Sequence, residues 1–224
     1  MTDALGNPET FLKLTIRSPN ADGTAPSKAA MPHLAPDSFD SFASFDAAAA
    51  AWVRMHASPA MTQFMAAVSL AHSQAVLYAA GFALAIYAWK RGEPRWSALA
   101  VSVIVLGLVL NALLKLAFAR ARPLIEGVPS VYDTYSFPSG HAAGATLVYG
   151  FAAAYIAGHS SSPAVRIGVF FVAVIMIALV AASRLVLGVH FASDVTAGIA
   201  WAAMWATAWI LALAPRRRAL ERAR

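Results

Sequence analysis

An all-α, polytopic transmembrane bundle is the fold class this sequence predicts, with about five spanning helices behind N-terminal interfacial amphipathic helices. Three observations predict it. Of the 224 residues, 59% are hydrophobic and 12% charged, against roughly 45–50% and about 25% in soluble domains. The apolar residues gather in five stretches of near-spanning length. The Lys and Arg residues sit at the ends of those stretches rather than along polar helix faces,. The same composition excludes other classes. The chain is too apolar for intrinsic disorder. It has no cysteine, so disulfide scaffolds, cysteine-ligated zinc and iron–sulfur centres are out. The net charge of +6 flanks apolar runs, which argues for membrane orientation and against nucleic acid.

Taken in order, residues 1–38 are polar and interrupted by Pro8, Pro19, Pro26, Pro32 and Pro36. They read as a disordered tail. A membrane domain spans 39–214. Its first part, 39–65, interleaves Phe39, Phe42, Phe45, Trp52, Met55 and Phe64 with Asp40, Asp46 and Arg54. Several fall three or four apart, so one or two amphipathic helices are expected, broken near Pro59 and lying in the interface or on the bundle. The first apolar stretch runs from about Met55 to Trp89 and the second from Trp96 to Leu114. The others are Ala142–Gly158, Ile167–Ser183 and Val195–Ala214. Each approaches the ~20 residues needed to cross the hydrocarbon. Residues 215–224 form a basic tail, expected to meet anionic headgroups.

Charge sets an expected orientation. The loops Lys90–Arg95 and His159–Arg166 and the C-terminal tail carry nine Lys and Arg residues, against four on the other face. The positive-inside rule puts the face of nine in the cytoplasm. The opposite face, with Lys115–His141 and the turn near His190, is then periplasmic or extracellular.

Three segments meet at that outer face. The first runs from Lys115 to Arg122-Pro123, the second is Pro138-Ser139-Gly140-His141, and the third runs from Ser183-Arg184 through His190 to Asp194. Lys115 and Arg122 are seven apart, about two helical turns, and so are expected on one helix side, with Pro123 ending the helix. Arg122 can fork onto two phosphate oxygens, while Lys115 acts as a point charge. Arg184 adds a third cation. Ser139 is a good N-cap, Gly140 admits close approach, and the free N–H groups behind them favour an anion, with His141 at the lip. His190 and Asp194 are four apart. If a helix begins there, Asp194 can accept from one ring nitrogen and leave the other as nucleophile.

These segments resemble the type-2 phosphatidic acid phosphatase superfamily, which also contains vanadium haloperoxidases. Its three motifs are Lys-x6-Arg-Pro, Pro-Ser-Gly-His and Ser-Arg-x5-His-x3-Asp, and all stand here in order without substitution. The resemblance covers roughly residues 60–214. Phe137 and the run Leu187–His190 are similar to the bacterial membrane branch. The resemblance implies a metal-free phosphatase with no cofactor. His190 would attack phosphorus and Asp194 would orient it. His141 would protonate the leaving oxygen and then activate water. Lys115, Arg122, Ser139, Gly140 and Arg184 would hold phosphoryl oxygens. Membrane members commonly have six spans, whereas 1–38 supplies none.

The expected function is therefore hydrolysis of a lipid phosphomonoester or diphosphate at a bacterial-type cytoplasmic membrane, on its outer face. Undecaprenyl diphosphate, phosphatidylglycerophosphate and phosphatidic acid are the candidate substrates, and the outward-facing site favours undecaprenyl diphosphate. The rivals are a lipid phosphotransferase, a haloperoxidase and a lipid-phosphate-binding protein without turnover. Outside the motifs, His72 reads as an interhelical hydrogen-bonding residue and His159 as a solvated loop residue. Asn111 either bonds between helices or supports Lys115. Arg120 has no motif position, and Trp201, Trp205 and Trp209 read as a packed or lipid-facing stripe.

Overall fold

A computed structural model describes residues 36–123 and 134–213, with side chains from Phe39 onward. Of the tail expected at 1–38, residues 1–35 lie outside the described residues, as does the basic tail at 215–224, while 36–38 open the first turn. A 3-10 turn, Pro36–Phe42, leads into α1, Ala43–His56. Then follow α2 (Pro59–Ala71), α3 (Gln74–Lys90), α4 (Pro94–Phe118), α5 (Gly140–His159), α6 (Pro163–Val186) and α7 (Ala192–Leu213). Among the described residues there is no strand.

Local chemistry sets the helix boundaries. Ser58 accepts from the Met61 N–H and Pro59 takes the first turn, so the break expected near Pro59 is the N-cap of α2,. Ser162 and Pro163 repeat that arrangement at α6. Helix α4 carries a π-helical turn at Val101–Val105 and ends where Ala119 adopts a left-handed φ of 46°,.

Helices α4, α6 and α7 are each long and apolar enough to cross a bilayer. Helices α2 and α3 meet at a 45° bend and add a fourth span if counted as one broken segment. Among the described residues, length and composition thus give three to four spans, where five were expected. The remaining stretch became α5, which at 20 residues is long enough but rich in Ala, Gly and Tyr.

That composition matches its place. Helix α5 is the hub, packed against α3, α4, α6 and α7. It buries Gly140, the run Ala142–Val148 and Phe151. Small residues let four neighbours approach one helix. Against it pack Leu77, Trp96, Leu99, Val103, Ile104 and Leu108. Helix α6 is the converse. It has the highest hydropathy of the candidate spans and exposes Ile167, Phe170, Phe171, Val172, Val174 and Ile175. The most apolar helix faces outward, as a lipid-facing helix does.

The chain has two chemically distinct ends. At one, Glu93 accepts from the Tyr155 hydroxyl at 2.5 Å and pairs with His159 at 3.1 Å. His159 is exposed to solvent as expected, but it is the last residue of α5 and an inter-element partner rather than a loop residue. This contact ties the α3–α4 loop to the start of the α5–α6 loop, so the two basic loops share an end. The end of α4 and the starts of α5 and α7 share the other.

Candidate active site

The second end is built from helix termini. Ser139 is the N-cap residue of α5, but its side chain makes no cap hydrogen bond. Its backbone N–H instead donates to the Asp194 carbonyl at 3.0 Å, joining the starts of α5 and α7. That approach needs Gly198: a Cβ there would stand 2.8 Å from the Ser139 carbonyl oxygen. The Ser139 Oγ is fully buried and has no hydrogen-bond partner among the described residues. The same holds for Asn111 Oδ1, whose side chain and that of Gln74 lie against Gly140.

His190 sits in the turn between α6 and α7, just after Gly188, whose φ is +64°,. Its Nδ1 lies 3.4 Å from Asp194 Oδ2, and its Nε2 lies 3.4 Å from Arg122 Nη1. The expected four-residue pairing is present, with His190 preceding the helix and Asp194 in its first turn. Burial pulls the His190 imidazole down from its ordinary 6.5 to about 4; the Asp194 hydrogen bond opposes this, and the Arg122 and Lys115 charges add to the fall,. The ring is therefore neutral near pH 7. With Nδ1–H donating to Asp194, the Nε2 lone pair faces the Arg122 side.

The cations gather around it. Arg122 donates to Val189 O at 2.8 Å, Thr134 O at 2.8 Å and Thr134 Oγ1 at 2.9 Å, bridging two loops. Lys115 Nζ donates to Tyr135 O at 2.6 Å. Lys115 and Arg122 both act on His190, but not through a shared helix side. Helix α4 stops at Phe118, four residues before Arg122, because the left-handed Ala119 turns the chain out first. Arg184 is buried and donates to Ser69 Oγ, so α2 holds it in place. Half-buried His141 lies within electrostatic reach of Arg184, His190 and Arg122. All eight residues singled out from the sequence thus lie on the elements meeting at this end.

The sequence did not disclose a second layer. Arg120 Nη1 donates to Asp194 Oδ1 at 2.6 Å and Nη2 to Asp46 Oδ2 at 2.8 Å. Asp46 also accepts from Ser193 N at 2.8 Å and Ser193 Oγ at 2.7 Å. Asp46 is 6% exposed, while its helix neighbours Phe45 and Trp52 point outward. Helix α1 therefore turns its acid inward and its aromatics outward. The available signal was an acid in an alanine run with no cation beside it, since a buried charge needs a partner. His72 bonds between helices as expected, to Tyr149 Oη at 2.6 Å.

A cavity of about 390 Å³ opens beside His190, walled by Ala43, Ala47, Ala50 and Val53 of α1 and by Phe191. Among the described residues, no three His, Cys, Asp or Glu side chains group as metal ligands. Chemically, the arrangement offers an oriented neutral imidazole, a second histidine and several donors for oxyanion charge.

Known proteins share this architecture. Over 92 residues the chain is 37% identical to phosphatidylglycerophosphatase B of Bacillus subtilis (strain 168), covering 40% of this chain and 44% of that protein. The match thus spans less than half of that relative. The crystal structure of a transmembrane PAP2-type phosphatidylglycerolphosphate phosphatase from Bacillus subtilis superposes with a TM-score of 0.65 at 25% identity, over 76% of this chain and 85% of that one. Aquifex aeolicus LpxE superposes with a TM-score of 0.52 at 22% identity, over 72% and 92%, a likeness of fold alone. Residues 95–218, more than half of the sequence, match the PAP2 superfamily; the chain belongs to that superfamily.

Proposed function

We propose that this chain is a multi-pass membrane phosphatase that removes phosphate from a lipid through a phosphohistidine on His190. The observation that carries the reading is the His190 ring, with Nδ1 toward Asp194 and Nε2 toward Arg122. In the first step Nε2 attacks phosphorus and the bond from phosphorus to the lipid oxygen breaks. His141, which takes up a proton as the anionic phosphate binds beside it, gives that proton to the leaving oxygen. In the second step His141 takes a proton from water, whose oxygen attacks the phosphohistidine and releases inorganic phosphate and His190. Lys115, Arg122, Arg184 and the Gly140 N–H stabilise the equatorial oxygens, where phosphoryl transfer rewards fixed charge. Ser139 Oγ joins them: a buried hydroxyl without a partner costs about 1–3 kcal/mol, which a phosphoryl oxygen would offset,. The chemistry needs no metal.

The apolar cavity beside His190 supports a lipid substrate, with the tail along α1 and the phosphate at the cations,. The relatives' names put phosphatidylglycerophosphate first among the candidates, ahead of undecaprenyl diphosphate and phosphatidic acid. We take α5 as a fifth span, sheltered by its neighbours, and place the site on the extracytoplasmic face by the positive-inside rule.

The test is phosphate release from those three lipids by detergent-solubilised protein in excess chelator, beside His190→Ala. Release that survives chelation and falls at least ~10³-fold in His190→Ala is expected. Undiminished turnover by His190→Ala, or loss of turnover on chelation, would overturn the reading.

A further inference from the structure

We propose that Asp46 is a positioning residue for the His190–Asp194 pair, acting through Arg120 and Ser193, so that helix α1 is a working part of the site. The inference rests on the phosphatase reading above.

Geometry carries it. Arg120 holds two carboxylates on one planar fork, Asp194 through Nη1 at 2.6 Å and Asp46 through Nη2 at 2.8 Å,. The rings of Phe39 and Phe191 lie 4.4 and 4.2 Å from the guanidinium carbon, which fixes its plane,. Engaging Oδ1 of Asp194 in this way leaves Oδ2 for the Phe191 N–H at 2.9 Å and for His190. Asp46 is itself held by both Ser193 donors, one residue before Asp194. The chain His190, Asp194, Arg120, Asp46 thus closes back on α7 through Ser193.

Charge gives Asp46 a role beyond docking. One guanidinium shared by two carboxylates leaves a net negative charge, so Asp194 stays an effective anion beside His190. Attack on phosphorus makes the imidazole positive, and that charge needs the anion. Without the Asp46 charge, Arg120 would neutralise Asp194 and be free to rotate onto both its oxygens, competing with His190. The loss would fall on the chemical step rather than on lipid binding.

The full-length wild type, Asp46→Asn, Arg120→Gln and the double variant would be assayed in detergent micelles on whichever of phosphatidylglycerophosphate, undecaprenyl diphosphate and phosphatidic acid the wild type turns over fastest. Asp46→Asn keeps the shape and removes the charge. The expected result is a kcat about 10- to 100-fold lower with KM within about two-fold, the range seen when groups supporting a first layer are lost. In the Arg120→Gln background the same change should cost less than about three-fold further, because the two act in series. An unchanged kcat in folded Asp46→Asn, a loss confined to KM, or multiplicative losses in the double variant would overturn the proposal. If Asp46→Asn does not fold, Ser193→Ala decides: it leaves Asp46 two of its three donors, a smaller fall in kcat is expected, and no fall overturns it. A wild type that turns over no lipid phosphate would instead sink the phosphatase reading. The His190 imidazole NMR signal would then test the coupling: it should shift in Asp46→Asn, and an unmoved signal overturns it.

Discussion

His190 combines two demands that normally conflict, a buried position and a nucleophilic nitrogen. Burial holds the imidazole neutral, with a pKa of about 4. Because that value lies below the ordinary 6.5, the unfolded chain binds the extra proton first. Stability therefore falls as pH drops from 6.5 toward 4 and levels off below. Imidazole NMR, assigned with His190→Ala, should give a midpoint near 4; a midpoint near 6.5 would mean a solvated ring. Arg122 makes a complementary demand. Its three donor nitrogens bridge two loops as well as facing His190, and a lysine offers no planar fork. Arg122→Lys should cost about 10- to 100-fold in kcat/KM, read by phosphate release. At this scale the reacting residues were legible, since a histidine and an aspartate four apart at a helix start pair through local geometry. Asp46 was not, because its partners lie 74 and 147 residues away, and no local period encodes such a contact.

Helix termini, more than helix faces, organise the site. The starts of α5 and α7 touch backbone to backbone at Ser139 and Asp194, over Gly198. Backbone cannot rotate aside as a side chain can. Gly198→Ala should therefore destabilise by about 1–3 kcal/mol and lower turnover with it. Gly150, also in α5, has open space where a Cβ would go, so Gly150→Ala should leave the apparent Tm and activity unchanged. Equal behaviour of the two variants would mean that this junction is not tight. The apolar stretches were legible as helices because runs bounded by Pro, Ser and charge define their own ends. The end of α4 was not: Ala119 turns left-handed, a conformation an alanine does not announce,. The expected helical pairing of Lys115 with Arg122 failed there, although Lys115 from the last turn of α4 and Arg122 from the loop after it both act on His190.

The molecule as a whole keeps its basic loops at one end and the candidate site at the other. Glu93, Tyr155 and His159 fasten the first end, while Asp46, Arg120 and Asp194 fasten the second. Because the chain has no cysteine, single cysteines can report which end faces out. Ala121→Cys in intact cells should react with a membrane-impermeant maleimide, and Ser161→Cys only after lysis; the reverse pattern would invert the orientation. Span number was the least legible feature, since the central helix carries small residues where a lipid-facing helix carries large apolar ones. If phosphorus passes through His190, the phosphohistidine can be trapped. Labelled lipid phosphate would be mixed with His141→Ala, in which loss of the proton donor slows the first step and loss of the base slows the second, so that a phosphohistidine once formed persists, and quenched in base. An acid-labile, base-stable label should appear on the peptide containing His190 and be absent from the His141→Ala/His190→Ala double variant. A label on another residue, or lipid turnover by His141→Ala with no label on the protein, would contradict it.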